Sequence, residues 1–510
     1  MRPGALALTL GTVTDPYLRR TVLRKRRLAL GAAVVTGGAL GVPGVAAADS
    51  LDAYNNGALP DSVAINSMWV VVAACLVMFM QAGFAFLEIG FSRAKNAGTI
   101  IAKVLTNFSI AALAYWACGF AFAFGSGEII GSSGFFLRDF GDPLEAFSVM
   151  GLSNATIESK WFFQFTFCAV SLAIVWGTTL ERIKFGVYVI YAVVFAAVIY
   201  PIGSHWVFGG GWLQANLGMQ DFAGSTAVHL IGATGGLAVL LLLGPRKGKY
   251  GKDGRPRAIP GHNMPLFGLG IFILWLGWFG FNPGSTLNAQ DGRFPEIMMV
   301  TQLAAAAGVL GALVTTRWKT GTFDIGMAGN GAIAALVAIT APSGYVEAWT
   351  APIIGGVAGL FVPLAIYAID KKIDDPVGAL SAHGLAGVWG TLACGLFTSP
   401  RFAEYNGFGD PGLIYSGSFG QLGTQALGVA VVFTFVFTLS FATFWVIKKT
   451  YGLRVSEDEE TAGLDISEHG MYGYPEQFIP EAELLGGGYT AGPPATVRPA
   501  PQTTTSEVPV

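Results

Sequence analysis

Residues 221–232 read DFAGSTAVHLIG, an aspartate followed eight residues later by a histidine inside an otherwise apolar run. The spacing recurs at residues 375–383, DPVGALSAH, where Asp375 precedes His383 by eight. Eight helical residues carry the chain about 12 Å, which ends near the midplane of a hydrocarbon core ~30 Å thick. If the two runs cross a bilayer, His229 and His383 each lie about halfway across it.

Composition says that they do cross one. Charged residues are 12% of the 510, about half of the roughly 25% usual in soluble domains, while apolar residues reach 53%. Mean hydropathy is positive. The chain therefore reads as an all-α polytopic membrane protein. A net charge of −2, with the charges in loops and tails rather than in a basic patch, gives no footprint for nucleic acid. Cys75, Cys118, Cys168 and Cys394 all lie in apolar segments without CxxC or Cys/His spacing. Neither a disulfide nor a zinc site is expected, and no cofactor motif is present.

Residues 1–48 read as an N-terminal extension and signal peptide. Arg19, Arg20, Arg24, Lys25, Arg26 and Arg27 precede the apolar run 28–40, which is too short to span, and Ala46-Ala47-Ala48 offers a cleavage site before Asp49. The membrane domain is then 49–449, with eleven apolar segments starting near Asn66, Gly98, Trp161, Phe185, Ser225, Asn263, Val300, Phe323, Trp349, Val377 and Ser418. Basic residues follow every odd segment, from Arg93 and Lys95 after the first to Lys448, Lys449 and Arg454 after the last. By the positive-inside rule the mature N-terminus is outside and the C-terminus cytoplasmic. Segment five then enters from outside and segment ten from the cytoplasm. Two oppositely directed helices, five segments apart, each bring a histidine to mid-membrane. That is the pattern of an inverted five-plus-five repeat plus one additional helix, with its site between the halves.

An ionisable group inside a bilayer is costly and normally faces a pathway or a partner. Each neutral imidazole offers one N–H donor and one acceptor nitrogen, so two facing rings can share a proton and line a narrow path without fixed charge. Such a path suits a small, weakly basic solute that can shed a proton and cross as a neutral molecule. Potassium cannot discard its hydration so cheaply. Asp221 and Asp375 read as helix N-caps, with Asp374 an equal candidate for the second cap. In WFFQFTF, Phe163 and Phe167 are four apart on one helix face, and in GWFGFNPGST, Phe281 stands four before Ser285. Rings near a pore mouth can hold a cation over their faces, although plain packing produces the same stripes.

Together with TTLERIKF, DDPVGALSAHGLAGVWG and the tail GLRVSEDEETAGLDISEHG, these motifs resemble, in order, the Amt/Mep/Rh ammonium transporters, in particular the bacterial Amt branch, from about residue 60 to 475. The resemblance implies an eleven-helix inverted repeat that assembles as a homotrimer in the cell inner (plasma) membrane, with one pore per protomer. It implies that ammonium or ammonia is the substrate, that His229 and His383 are the pore histidines, and that Phe167 and Phe281 form the gate. It places Phe163, Gln164, Phe208, Asp221 and Ser285 at the outer ammonium site. One position departs: HWVFGGGW carries Phe208 where the family's pattern has Trp. Residues 450–479 resemble the family's cytoplasmic regulatory segment, which in bacteria meets a PII-type nitrogen regulator. Residues 480–510, rich in Gly, Pro and Thr, are expected to be disordered. An ammonium sensor or a neutral ammonia gas channel is the alternative function. An enzyme is not expected.

Overall fold

The computed structural model describes residues 61–138 and 155–479. The segment expected to be a signal peptide with the rest of residues 1–60, residues 480–510, and residues 139–154 of the connection after the second helix lie outside the described residues. Ten helices in them are long and apolar enough to cross a membrane: α1 Asp61–Phe91, α2 Ala94–Phe124, α3 Ile157–Gly177, α4 Phe185–Ala215, α5 Ser225–Leu243, α6 Met264–Gly284, α7 Arg293–Thr320, α9 Ala348–Ile369, α10 Leu380–Phe397 and α11 Gly420–Thr450. Between α7 and α9 lies a shorter apolar helix, α8, Ile325–Thr340, of 16 residues. No β-strand occurs among the described residues.

Helix ends follow local chemistry. Thr156 accepts from the Ser159 N–H at the start of α3, Asn263 from Leu266 before α6, and Asp324 from Met327 before α8. Lys448 and Lys449 occupy the last turn of α11, and Arg317 and Lys319 that of α7, where cations meet the negative end of the helix dipole. Some starts differ from the hydropathy reading. Helix α7 begins at Arg293 rather than near Val300, because its first turn carries the Arg293–Glu296 ion pair (3.3 Å), which an apolar scan skips. Close packing depends on small residues. A Cβ at Gly280 of α6 would stand 2.4 Å from the Ala73 carbonyl of α1, and one at Gly359 of α9 would stand 2.2 Å from the Gly308 carbonyl of α7. Helices α3 and α5 are the most enclosed spans, 89% and 83% buried along their apolar windows, so the centre of the bundle forms around them.

On the face that carries the basic loops, several of the charges read as orientation signals are buried and paired. Arg182 is fully buried and donates to the carbonyls of Leu180, Gly244 and Asp374. Arg246 holds the Asp374 carboxylate through Nε and Nη2 (3.0 and 2.9 Å) and reaches Glu181 at 3.3 Å. Arg93 grips Glu181 from α1's end through Nε and Nη2 (3.0 and 2.7 Å). These cations hold the Asp374 carboxyl down at about 2, outweighing burial, and hold Glu181 below the usual carboxylate range. The chain after α11 then crosses this face. Lys184 N–H donates to the Leu453 carbonyl, Lys247 N–H and Arg454 both bind the Glu460 carboxylate, and Lys95 Nζ reaches the Glu460 carbonyl. Asp465 accepts from the N–H groups of Gly98 and Thr99 at 2.9 and 2.8 Å, capping the first turns of α2 from the far end of the chain.

Candidate functional site

The two Asp–His motifs adopt the same local form. Gly224 and Gly378 both have positive φ (116° and 76°), a backbone region open to glycine. Each glycine is followed by a wide π-helical turn, Ser225–Leu230 in one motif and Leu380–Leu385 in the other, before the α-helix resumes. The sequence reading treated the run from Asp221 as α-helix throughout. Instead, residues 221–224 fold back so that the carboxylate faces the helix start. Asp221 Oδ1 accepts from Gly224 and Ser225, and Oδ2 from Thr226 and Ala227, all at 2.7–3.0 Å. Four otherwise orphaned donors are met by one side chain. In the second motif Asp375 takes the cap, accepting from Leu380 at 2.7 Å, while Asp374 turns to Arg246. The choice left open between them is settled by an arginine 128 residues away in sequence.

Hydroxyls fix α5 in place. Ser225 Oγ donates to the Val337 carbonyl and accepts from Ala341 N–H, and Thr226 meets Thr391 of α10 at 2.6 Å. Ser171 of α3 donates to the Val228 carbonyl. His229 and His383 therefore converge: their Nδ1 atoms lie 3.2 Å apart and their rings are 16° from parallel. One Nδ1 must carry the proton that the other accepts, so the two rings hold opposite tautomers. His229 Nε2 is buried and has no hydrogen-bond partner among the described residues. Trp278 lies nearly parallel to the His229 ring (centroids 5.3 Å, 14°), and its indole N–H donates to Thr340.

Beyond the histidines Phe167 and Phe281 stack at 3.9 Å and 16°. Phe167 also lines an open recess whose walls include Gln164, Phe208, Asp221 and Ser285, with Phe281 stacked behind it. Ser285 donates its proton to the Phe281 carbonyl (2.8 Å), which leaves its lone pairs to accept from a guest. Phe163 is fully buried one layer behind, packed on Phe167 and on Gly284, and is not part of the recess wall. Tyr345, Asn406 and Phe408 are also in the wall, with Gln214, Phe222 and Leu287. The sequence reading missed them, and Asn406 and Phe408 lie in a connection whose residues carry no periodic signal. Trp278 was legible: it stands three residues before Phe281 in a quoted motif. A second recess, about 350 Å³, opens on the other side of the pair, where His383, Phe84 and Glu88 share its wall.

The sequence model described as the Ammonium Transporter Family matches residues 68–474. Among curated proteins, "Ammonium transporter Amt2" of Archaeoglobus fulgidus is 44% identical over 434 residues, covering 82% of this chain and 90% of the relative. "Ammonium transporter Amt1" of Haloferax mediterranei is 36% identical over 439 residues, covering 82% and 80%. Among solved structures, "Sensor Amt Protein" superposes with a TM-score of 0.73 at 37% identity, covering 80% of this chain and 99% of that one. The crystal structure of Candida albicans Mep2 gives 0.71 at 28%, covering 79% and 88%. Both curated relatives are named as ammonium transporters rather than enzymes. A multi-pass helical membrane protein with these relatives and this match along most of its length is a member of the ammonium transporter family.

Proposed function

We propose that the chain conducts ammonium across the cell inner membrane, recruiting it as the cation and passing it as the neutral molecule. The recess over the Phe167–Phe281 stack receives the cation. The faces of Phe167 and Phe208 attract it, and Ser285 accepts one of its N–H bonds. The stacked rings exclude hydrated ions, because an ion that cannot lose charge must shed its water against apolar walls. Ammonium escapes that cost by giving a proton to the water of the outer recess. Ammonia then moves aside the rings and passes His229 and His383, whose shared proton and unpaired Nε2 supply one donor and one acceptor along the way. It takes up a proton again from water on the far side.

The observation that carries this reading is the histidine pair, Nδ1 to Nδ1 at 3.2 Å, placed between two recesses and roofed by stacked phenylalanines. On the same reading α8 completes eleven membrane helices in an inverted repeat about that pair. The N-terminus lies outside, the basic face is cytoplasmic, and the assembly is a homotrimer that presents the 450–479 segment to a PII-type regulator. The test is ammonia entry into proteoliposomes pulsed with ammonium, read as the rise of internal pH when the entering molecule takes up a proton, with and without a potassium gradient, for the native chain and for His229→Ala and His383→Ala. Both variants are expected to lose selective ammonium uptake and to admit potassium. Native uptake and selectivity in both would overturn the reading, and a native chain that binds ammonium without flux would favour a sensor.

A further inference from the structure

Glu88 of α1 and Lys103 of α2 form an ion pair buried to within 1% of full enclosure. Two observations say that it does more than join two helices. A buried ion pair is a poor fastener, since apolar residues of similar volume hold helices at least as well. The pair is also incomplete. Glu88 Oε2 takes the lysine, whereas Oε1 is buried without a hydrogen-bond partner among the described residues. Oε1 points toward Gly177, where a Cβ would stand 3.5 Å from it, and both residues line the inner recess. Apart from His383 and Asn330, Glu88 is the one polar side chain in that wall. Asn330 donates its amide N–H to the Gly326 carbonyl of its own helix, and its remaining amide oxygen is an uncharged acceptor, so Glu88 is the one carboxylate in the wall.

We infer that Glu88 forms a binding site for the ammonium cation on the inner side of the histidine pair. Lys103 cancels most of the carboxylate's charge and fixes its orientation, so that Oε1 accepts one N–H of a cation without trapping it. An oxygen aimed into an otherwise apolar recess gives the cation a place to stand between His383 and the basic face. Binding there involves no covalent change. The inference rests on the reading of His229 and His383 as the pore lining.

The test uses the full chain in proteoliposomes of one orientation, with ammonium offered first from the basic-loop face and then from the other. Glu88→Gln with Lys103→Gln removes both charges together and avoids leaving a buried lysine unpaired. Losing a charge-assisted hydrogen bond is expected to raise the half-saturation concentration from the basic-loop face about tenfold, with the value from the other face unchanged. If the pair only neutralises itself, the double variant will match the native chain from both faces, and the inference fails. Glu88→Asp, which keeps the charge, is the second arm. Partial recovery of the basic-face value supports the site, and a defect as large as that of the double variant overturns it. His383→Ala in the same vesicles separates the two readings. Loss of potassium exclusion there, with a native double variant, sinks the Glu88 site alone. Intact exclusion sinks the pore reading beneath it.

Discussion

Phe208 stands where the resemblance leads one to expect Trp, and its surroundings say what that difference does. Its ring lines the outer recess, and its tip lies 3.3 Å from where a Cβ on Gly224 would be. The neighbouring indoles do not substitute for it. Trp206 donates to the Ile129 carbonyl at 2.7 Å and packs on Phe435, with Trp212 against its edge. A cation over Phe208 therefore meets a phenyl face where indole would attract it more strongly. Phe208→Trp is expected to lower the half-saturation concentration for ammonium about fivefold, the equivalent of ~1 kcal/mol. The maximal rate should change less, because the phenylalanine stack and the histidines lie deeper. Concentration-dependent ammonium uptake by proteoliposomes checks this, and an unchanged half-saturation would remove Phe208 from the recruiting site.

At the scale of the element, the helix starts of α5 and α10 show what was legible in the sequence. The eight-residue Asp–His spacing is a local, periodic signal, and it was enough to bring His229 and His383 to the same depth on two helices. The π turns were not legible, because a wide turn keeps the composition of an α-helix and changes only its hydrogen-bond register. Nor was the division of labour between Asp374 and Asp375, which depends on an arginine from another loop. Phe163 and Phe167 share a face in sequence, yet packing of Gly284 against Phe163 sends one ring behind the other. The two caps differ in consequence. Asp221 satisfies four backbone donors and Asp375 is seen to satisfy one. Caps contribute about 1 kcal/mol, and each buried donor left unmet adds to the loss. Asp221→Ala is expected to destabilise the protein by about 3 kcal/mol and Asp375→Ala by about 1 kcal/mol. Unfolding of the two variants in detergent, followed against denaturant or temperature, tests the order, and equal losses would contradict the capping account.

At the scale of the whole molecule, the segment after α11 ties together ends that are far apart in the chain. By charge alone, the acidic stretch 457–460 would rest on the whole basic loop 246–257. In the structure Arg246 is spent on Asp374 and Glu181, and Lys249 pairs with Asp370. The tail is held by Lys95, Lys247 and its own Arg454, and by Asp465 at the first turns of α2. Because Asp465 meets the start of α2 and Leu453 meets the α3–α4 loop, the tail bridges two elements on the face that carries the basic loops. Truncation after Lys449 is therefore expected to reduce transport severalfold, whereas truncation after Pro480 leaves all of these contacts and should leave transport unchanged. The carboxylates beneath the tail make this difference insensitive to ordinary pH. Asp374 falls from an unfolded value near 3.9 to about 2 in the fold, and Glu181 is also lowered. A depressed carboxyl contributes stability that is present above its unfolded pKa and is lost as pH falls toward the folded one. The network is consequently intact from pH 5.5 to 8 and loosens only below about 4. The ratio of transport in the full chain to that in the Lys449 truncation, measured in steps across pH 5.5 to 8, should be constant. A ratio that collapses within that window would mean that the loops on which the tail rests are held by a group titrating near neutrality, and not by the Glu181, Asp374 and Arg246 network.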